Sequence, residues 1–85
     1  MGEVALTLQV MPKGKEVDME ELRDKVNDLI EPNSIEEEPV AFGLNSLKVV
    51  KVVADDAGGS DEVEEELMKI EEVNNVKVLD QRKLL

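Results

Sequence analysis

Residues 3–32, EVALTLQVMPKGKEVDMEELRDKVNDLIEP, change their hydrophobic period once, and that change decides the fold. In the first part Val4, Leu6, Leu8 and Val10 alternate with Glu3, Ala5, Thr7 and Gln9. A period of two is the spacing of a strand with one buried face. Pro12 and Gly14 interrupt it. From Asp18 to Glu31 the apolar residues move to helical spacing, with Met19, Leu22, Val26, Leu29 and Ile30 on one stripe. Asp18 is placed to cap this helix, and Glu21, three residues on, nearly completes a capping box. Glu21 and Lys25 form a favourable i,i+4 pair. Pro32 ends the helix, because the residue before a proline leaves the α region.

Outward from this unit, the Val-rich run Leu47–Val53 reads as a strand and Ile35–Phe42 as a weaker one, whose Pro39 suits a sheet edge. Gly43 to Ser46 would connect them. The buried face of the second run stays open: Leu47, Val49, Lys51 and Val53 lie on one side, Lys48, Val50, Val52 and Ala54 on the other. A bulge or a lysine that reaches the edge is compatible with the pattern, and neither face is chosen. Asp55–Gly59 reads as a loop, and Ser60 as the cap of a helix with Asp61 and Glu62 at its positive end. Val63, Leu67, Ile70 and Val73 give that helix its stripe, Asn74 and Asn75 its end. Val76–Leu79 reads as a last short strand and Asp80–Leu85 as a tail. The order β-α-β-β-α-β, with right-handed crossovers, predicts an α+β, ferredoxin-like sandwich: one four-stranded antiparallel sheet with both helices on one face.

The 85 residues make one domain, 1–85, since the chain is too short for two cores. There is no cysteine and no histidine, which removes disulfide scaffolds, iron–sulfur clusters, cysteine nucleophiles, and the commonest general base and zinc ligand. Ten basic residues against 21 acidic ones leave a net charge of −11, which argues against direct nucleic-acid binding. The acids concentrate in two blocks, Glu16–Glu38 and Asp55–Glu72, while the remaining segments are net basic. The start MGEVALTLQV lacks the basic region of a signal peptide, and no apolar run approaches the length of a membrane helix; the expectation is a cytoplasmic protein with no membrane partner.

Enzymatic chemistry finds little support. The hydroxyls Thr7, Ser34, Ser46 and Ser60 have no histidine to activate them, and Asp55-Asp56 reads as a solvated turn. DDAGGSDEVEEE fails as a calcium loop, with Ser60 at the glycine position and Ala57 and Gly59 where oxygen ligands belong. No glycine-rich stretch forms a phosphate cradle, and no cofactor is implied. An RNA-recognition sheet needs aromatic residues on its first and third strands, and here those strands have none. Two features remain. Phe42 is the only aromatic residue, and beside Gly43 it either fills the core or stands out as an interface anchor. Arg82-Lys83 is a basic tail in an acidic chain, read from composition as a frayed end.

Three stretches together are similar to the translation elongation factor 1-beta family, in its archaeal form and in the C-terminal exchange domain of its eukaryotic members. They are Leu8–Pro12 followed by Val17-Asp18-Met19, Val40–Leu44 followed by Leu47, and Val52–Asp56 with Gly59-Ser60-Asp61. The resemblance implies guanine-nucleotide exchange on elongation factor 1-alpha. It implies that Phe42, with Gly43, docks on the GTPase and that Lys83 enters the magnesium and phosphate region, with Arg82 and Leu84 as flanking contacts. It also implies a monomer when free. The alternative reading is a small-molecule regulatory module of the same fold, using Lys13-Gly14-Lys15 and usually dimeric.

Overall fold

The computed structural model describes residues 2–40, 43–54 and 60–84. The elements run β1 (Glu3–Pro12), α1 (Met19–Ile30), β2 (Ser34–Pro39), β3 (Asn45–Ala54), α2 (Ser60–Met68) and β4 (Val73–Lys83). They form one sheet of order β2-β3-β1-β4, and every pairing is antiparallel. This is the ferredoxin-like arrangement expected from the sequence. The helices supply Leu22, Val26, Ile30, Val63 and Leu67 to a single core against Val4, Leu6, Leu8 and Val10 of β1. Leu6, Leu8, Leu22, Leu47 and Leu67 are fully enclosed. Truncating one such leucine to alanine removes about 2–5 kcal/mol. Leu29, at the margin of the α1 stripe, is 41% exposed.

Asp18 caps α1 as expected: its Oδ1 accepts from the backbone N–H groups of Glu20 at 3.0 Å and Glu21 at 3.3 Å. The helix closes on Glu31, which takes a left-handed conformation with φ 46° and donates its N–H to the Asn27 carbonyl at 3.1 Å.

The open question about β3 resolves onto Leu47, Val49, Lys51 and Val53. Their β1 partners are Val10, Leu8, Leu6 and Val4, all core residues. Lys51 fits because its stem crosses the sheet and its Nζ donates to the Glu31 carbonyl at 3.2 Å, at the negative end of α1. Asn33 continues this edge: its N–H reaches the Val50 carbonyl at 2.8 Å and its Oδ1 accepts from Val52 N–H at 3.0 Å.

Four boundaries differ from expectation. Strand β2 ends at Pro39 rather than Phe42, and Ala41 and Phe42 lie outside the described residues. Asn45 and Ser46 belong to β3 rather than to the hairpin connection. Helix α2 ends at Met68, not at Val73. Beyond it, Lys69, Ile70 and Val73 each donate to a carbonyl three residues earlier, so tight turns keep Ile70 and Val73 directed inward and imitate a helical stripe. Strand β4 spans Val73–Lys83 rather than Val76–Leu79, so Asn74 and Asn75 are strand residues and the expected tail is paired.

Candidate functional site

The residues singled out by the sequence lie at two ends of the sheet. At one end, β1 finishes at Pro12, β2 finishes at Pro39 and β3 begins at Asn45. The Val40 N–H donates to the Leu44 carbonyl at 2.8 Å and closes the hairpin there. Gly43 is exposed with φ 74°, a left-handed conformation that a side chain would strain. A Cβ at Gly43 would sit 3.5 Å from both Cε and Nζ of Lys15. Phe42 lies outside the described residues, so its exposure is not among the observations.

At the other end, β4 runs alongside the start of β1. Lys83 pairs with Val4 and Arg82 with Ala5, and the Leu84 N–H donates to the Glu3 carbonyl at 2.8 Å. The frayed-tail expectation for Arg82-Lys83 is therefore corrected: β1 offers an unpaired edge along its whole length, and β4 fills it. Successive strand residues face opposite sides, which separates the two basic candidates. Arg82 shares the outer face with Asp80, whose Oδ2 lies 3.7 Å from its Nη2. Lys83 falls in register with the helix-facing Val4 and is exposed. Leu84 is 47% exposed and borders a surface depression with Glu3, Pro32, Asn33 and Val52.

Gly43 and Lys83 are not brought together. Lys83 lies in register with Val4, Val4 pairs with Val53, and β3 begins at Asn45, just after the hairpin. Eight residues of strand separate these positions, roughly 27 Å at about 3.4 Å per residue. The principal extents of the molecule, 42 × 21 × 17 Å, show the same elongation.

Lys25 of α1 contacts Glu72, in the turn before β4, and lies 3.6 Å from Glu21. The hydrogen bond between Lys25 and Glu72 raises the lysine above its ordinary value and lowers the carboxylate below its own. This contact joins α1 to the α2–β4 connection and is structural. Among the described residues, no group of three or more histidine, cysteine, aspartate or glutamate side chains is placed to hold a metal. The acids of α2 face outward, with Glu65 exposed and Glu64 and Glu66 half-buried.

The sequence reading did not connect Lys15 to the hairpin or Lys51 to the end of α1. The first was available from topology alone: in an antiparallel β1–β3 pair, the loop leaving β1 must lie beside the chain entering β3.

The chain matches the EF-1 guanine nucleotide exchange domain over residues 5–84. It is 44% identical to "Elongation factor 1-beta" of Methanothermobacter thermautotrophicus and 42% identical to that of Methanosphaera stadtmanae, each over 100% of both chains. The protein of that name from Haloarcula marismortui is 37% identical, covering 92% of this chain and 93% of its own. Among the described residues, no helix is long and apolar enough to cross a membrane.

Proposed function

The chain belongs to the EF-1 guanine nucleotide exchange domain family, and on that premise we propose that residues 1–85 act as one exchange domain that promotes GDP release and GTP reloading on elongation factor 1-alpha. The hairpin residues Phe42 and Gly43 dock at one end, and Lys83 acts at the other, beside the magnesium ion and phosphates of the GTPase. Leu84 and Arg82 flank that second contact. The protein works in the cytoplasm, as a monomer until it meets the GTPase, with no direct contact to nucleic acid.

The observation that carries this reading is the placement of the two elements on opposite ends of one sheet. A GTPase holds its nucleotide through phosphate contacts and a bridging Mg²⁺. An ammonium group set beside that cation repels it, so exchange factor and nucleotide bind with negative coupling, which is reciprocal. Weakening nucleotide affinity a thousandfold takes about 4 kcal/mol. One solvated charge falls short of that, whereas a desolvated one held by a distant anchor can supply it. The sheet serves as the strut: its continuous β1–β3 ladder, Glu3↔Ala54 to Val10↔Leu47, fixes the position of Lys83 once the hairpin is seated. Lys83 is chosen over Arg82 because the resemblance assigns this role to a lysine near the C-terminal end.

The test is release of fluorescent GDP from elongation factor 1-alpha, timed with and without this protein. A rate that rises with protein concentration to a plateau supports the reading; an unchanged rate overturns it.

A further inference from the structure

We propose that Lys15 is a specificity-determining contact of the exchange surface, an ammonium group held beside the docking hairpin that pairs with acidic groups on the GTPase around the site where the hairpin binds. The inference rests on the exchange reading above and extends it to a residue in a different loop.

Three observations converge on this lysine. First, its side chain crosses from the β1–α1 loop to the hairpin, where Cε and Nζ lie 3.5 Å from the position of a Cβ on Gly43. Any surface that receives the hairpin tip also meets this ammonium. Second, the loop is held on both sides of Lys15. The Lys13 N–H donates to the Glu72 carbonyl at 2.9 Å, and the Val17 N–H donates to the Gly14 carbonyl at 3.3 Å. Third, no carboxylate among the described residues is paired with the Lys15 ammonium. Lys25, Lys48, Lys69 and Arg82 each have a carboxylate within 4 Å, and Lys51 is engaged by the Glu31 carbonyl. Among the described residues Lys15 has no such partner, as is also true of Lys13, Arg23 and Lys77, and it is Lys15 whose ammonium lies beside Gly43.

A cation with no carboxylate partner among the described residues keeps an attraction for an outside anion. A net charge of −11 repels acidic surfaces at long range, so local basic groups decide which face of the molecule approaches one. Rim charges of this kind act on encounter rate and salt dependence more than on the docked state. Lys15 therefore selects and orients the docking end, while release of nucleotide is carried out at the far end of the sheet.

The experiment compares the wild type with Lys15→Arg, Lys15→Ala and Lys15→Glu in fluorescent-GDP release from elongation factor 1-alpha, titrated at low and high salt. Lys15→Glu should raise the half-saturating concentration about tenfold at low salt and much less at high salt, with the plateau rate unchanged. Lys15→Ala should fall between, and Lys15→Arg should match the wild type. Unchanged half-saturation for Lys15→Glu at low salt, while the wild type still accelerates release, overturns the assignment of Lys15 alone. A lowered plateau with unaltered half-saturation also overturns it, because the residue would then act on release. A wild type without effect on GDP release removes the exchange reading and this inference with it. Thermal melting of each variant separates loss of fold from loss of docking.

Discussion

Glu72 is the residue in which the cost and benefit of a partly buried charge meet most closely. Its Oε2 contacts the Lys25 ammonium, while its Oε1 is buried with no hydrogen-bond partner among the described residues. An oxygen in that position is tolerated because the other half of the carboxylate is paired. The hydrogen bond from Lys25 lowers the Glu72 pKa below the ordinary 4.5, so the stabilisation it gives is present above that pH and is lost as pH falls through the lower folded value. The raised Lys25 acts at the other end of the scale: its contribution is complete below 10.5 and disappears above its folded value. In urea unfolding, the wild-type midpoint should therefore exceed that of Glu72→Gln near neutrality and converge on it below pH 4.5. Parallel midpoints across that range would remove the pairing from the account of stability. Glu31 gives a second expectation at this scale. With φ 46° it stands where glycine is ordinarily found, just past a helix end. Glu31→Gly should raise stability by about 0.5–1 kcal/mol in chemical denaturation. A loss of stability would mean that the side chain contributes more than its backbone strain costs.

At the scale of elements, β4 separates what sequence periodicity can report from what it cannot. Strand β1 and helix α1 are legible because each buries one face, and burial imprints its period on the apolar residues. The second half of β4 has no buried face. Its partners in β1 are core residues or their neighbours, yet Asp80, Gln81, Arg82 and Lys83 are all exposed. Without burial there is no alternation, and a paired edge strand reads as a tail. A register shift between Thr7 and Leu8 also leaves Leu79 outside the pairing and 46% exposed, which breaks the pattern at the point where the expected strand ended. The same limit holds for the hairpin contact: Gly43 was picked out from its neighbourhood, but Lys15 is joined to it by topology, and no local pattern records that. Amide hydrogen exchange tests the paired end. The Leu84 N–H, bonded to the Glu3 carbonyl at 2.8 Å, should exchange markedly more slowly than an unstructured amide. Exchange at the unstructured rate would restore the frayed tail and leave Lys83 without a fixed position.

Across the whole molecule, the separation of the two ends allows their contributions to be measured independently. On the proposed reading Phe42 and Gly43 serve docking, so Phe42→Ala should weaken binding to the GTPase by about 2 kcal/mol, close to thirtyfold in half-saturating concentration, with little change in plateau rate or melting temperature. On the same reading Lys83 serves release. It stands roughly 27 Å away along the sheet by the strand rise of about 3.4 Å per residue, too far to influence hairpin docking directly. Lys83→Ala should therefore leave half-saturation near the wild-type value and lower the plateau. The deficit should be largest when Mg²⁺ is abundant, since displacing that ion is the task proposed for the lysine, and a chelator should nearly abolish the difference. Arg82→Ala is the companion variant that tells the two basic residues apart, because Arg82 faces the opposite side of β4 and lies beside Asp80. A full plateau for Lys83→Ala at high Mg²⁺, with a collapsed one for Arg82→Ala, would move the active charge to the outer face of the sheet. Full plateaus for both would take the β4 end out of the mechanism and leave the hairpin end as the whole of the contact.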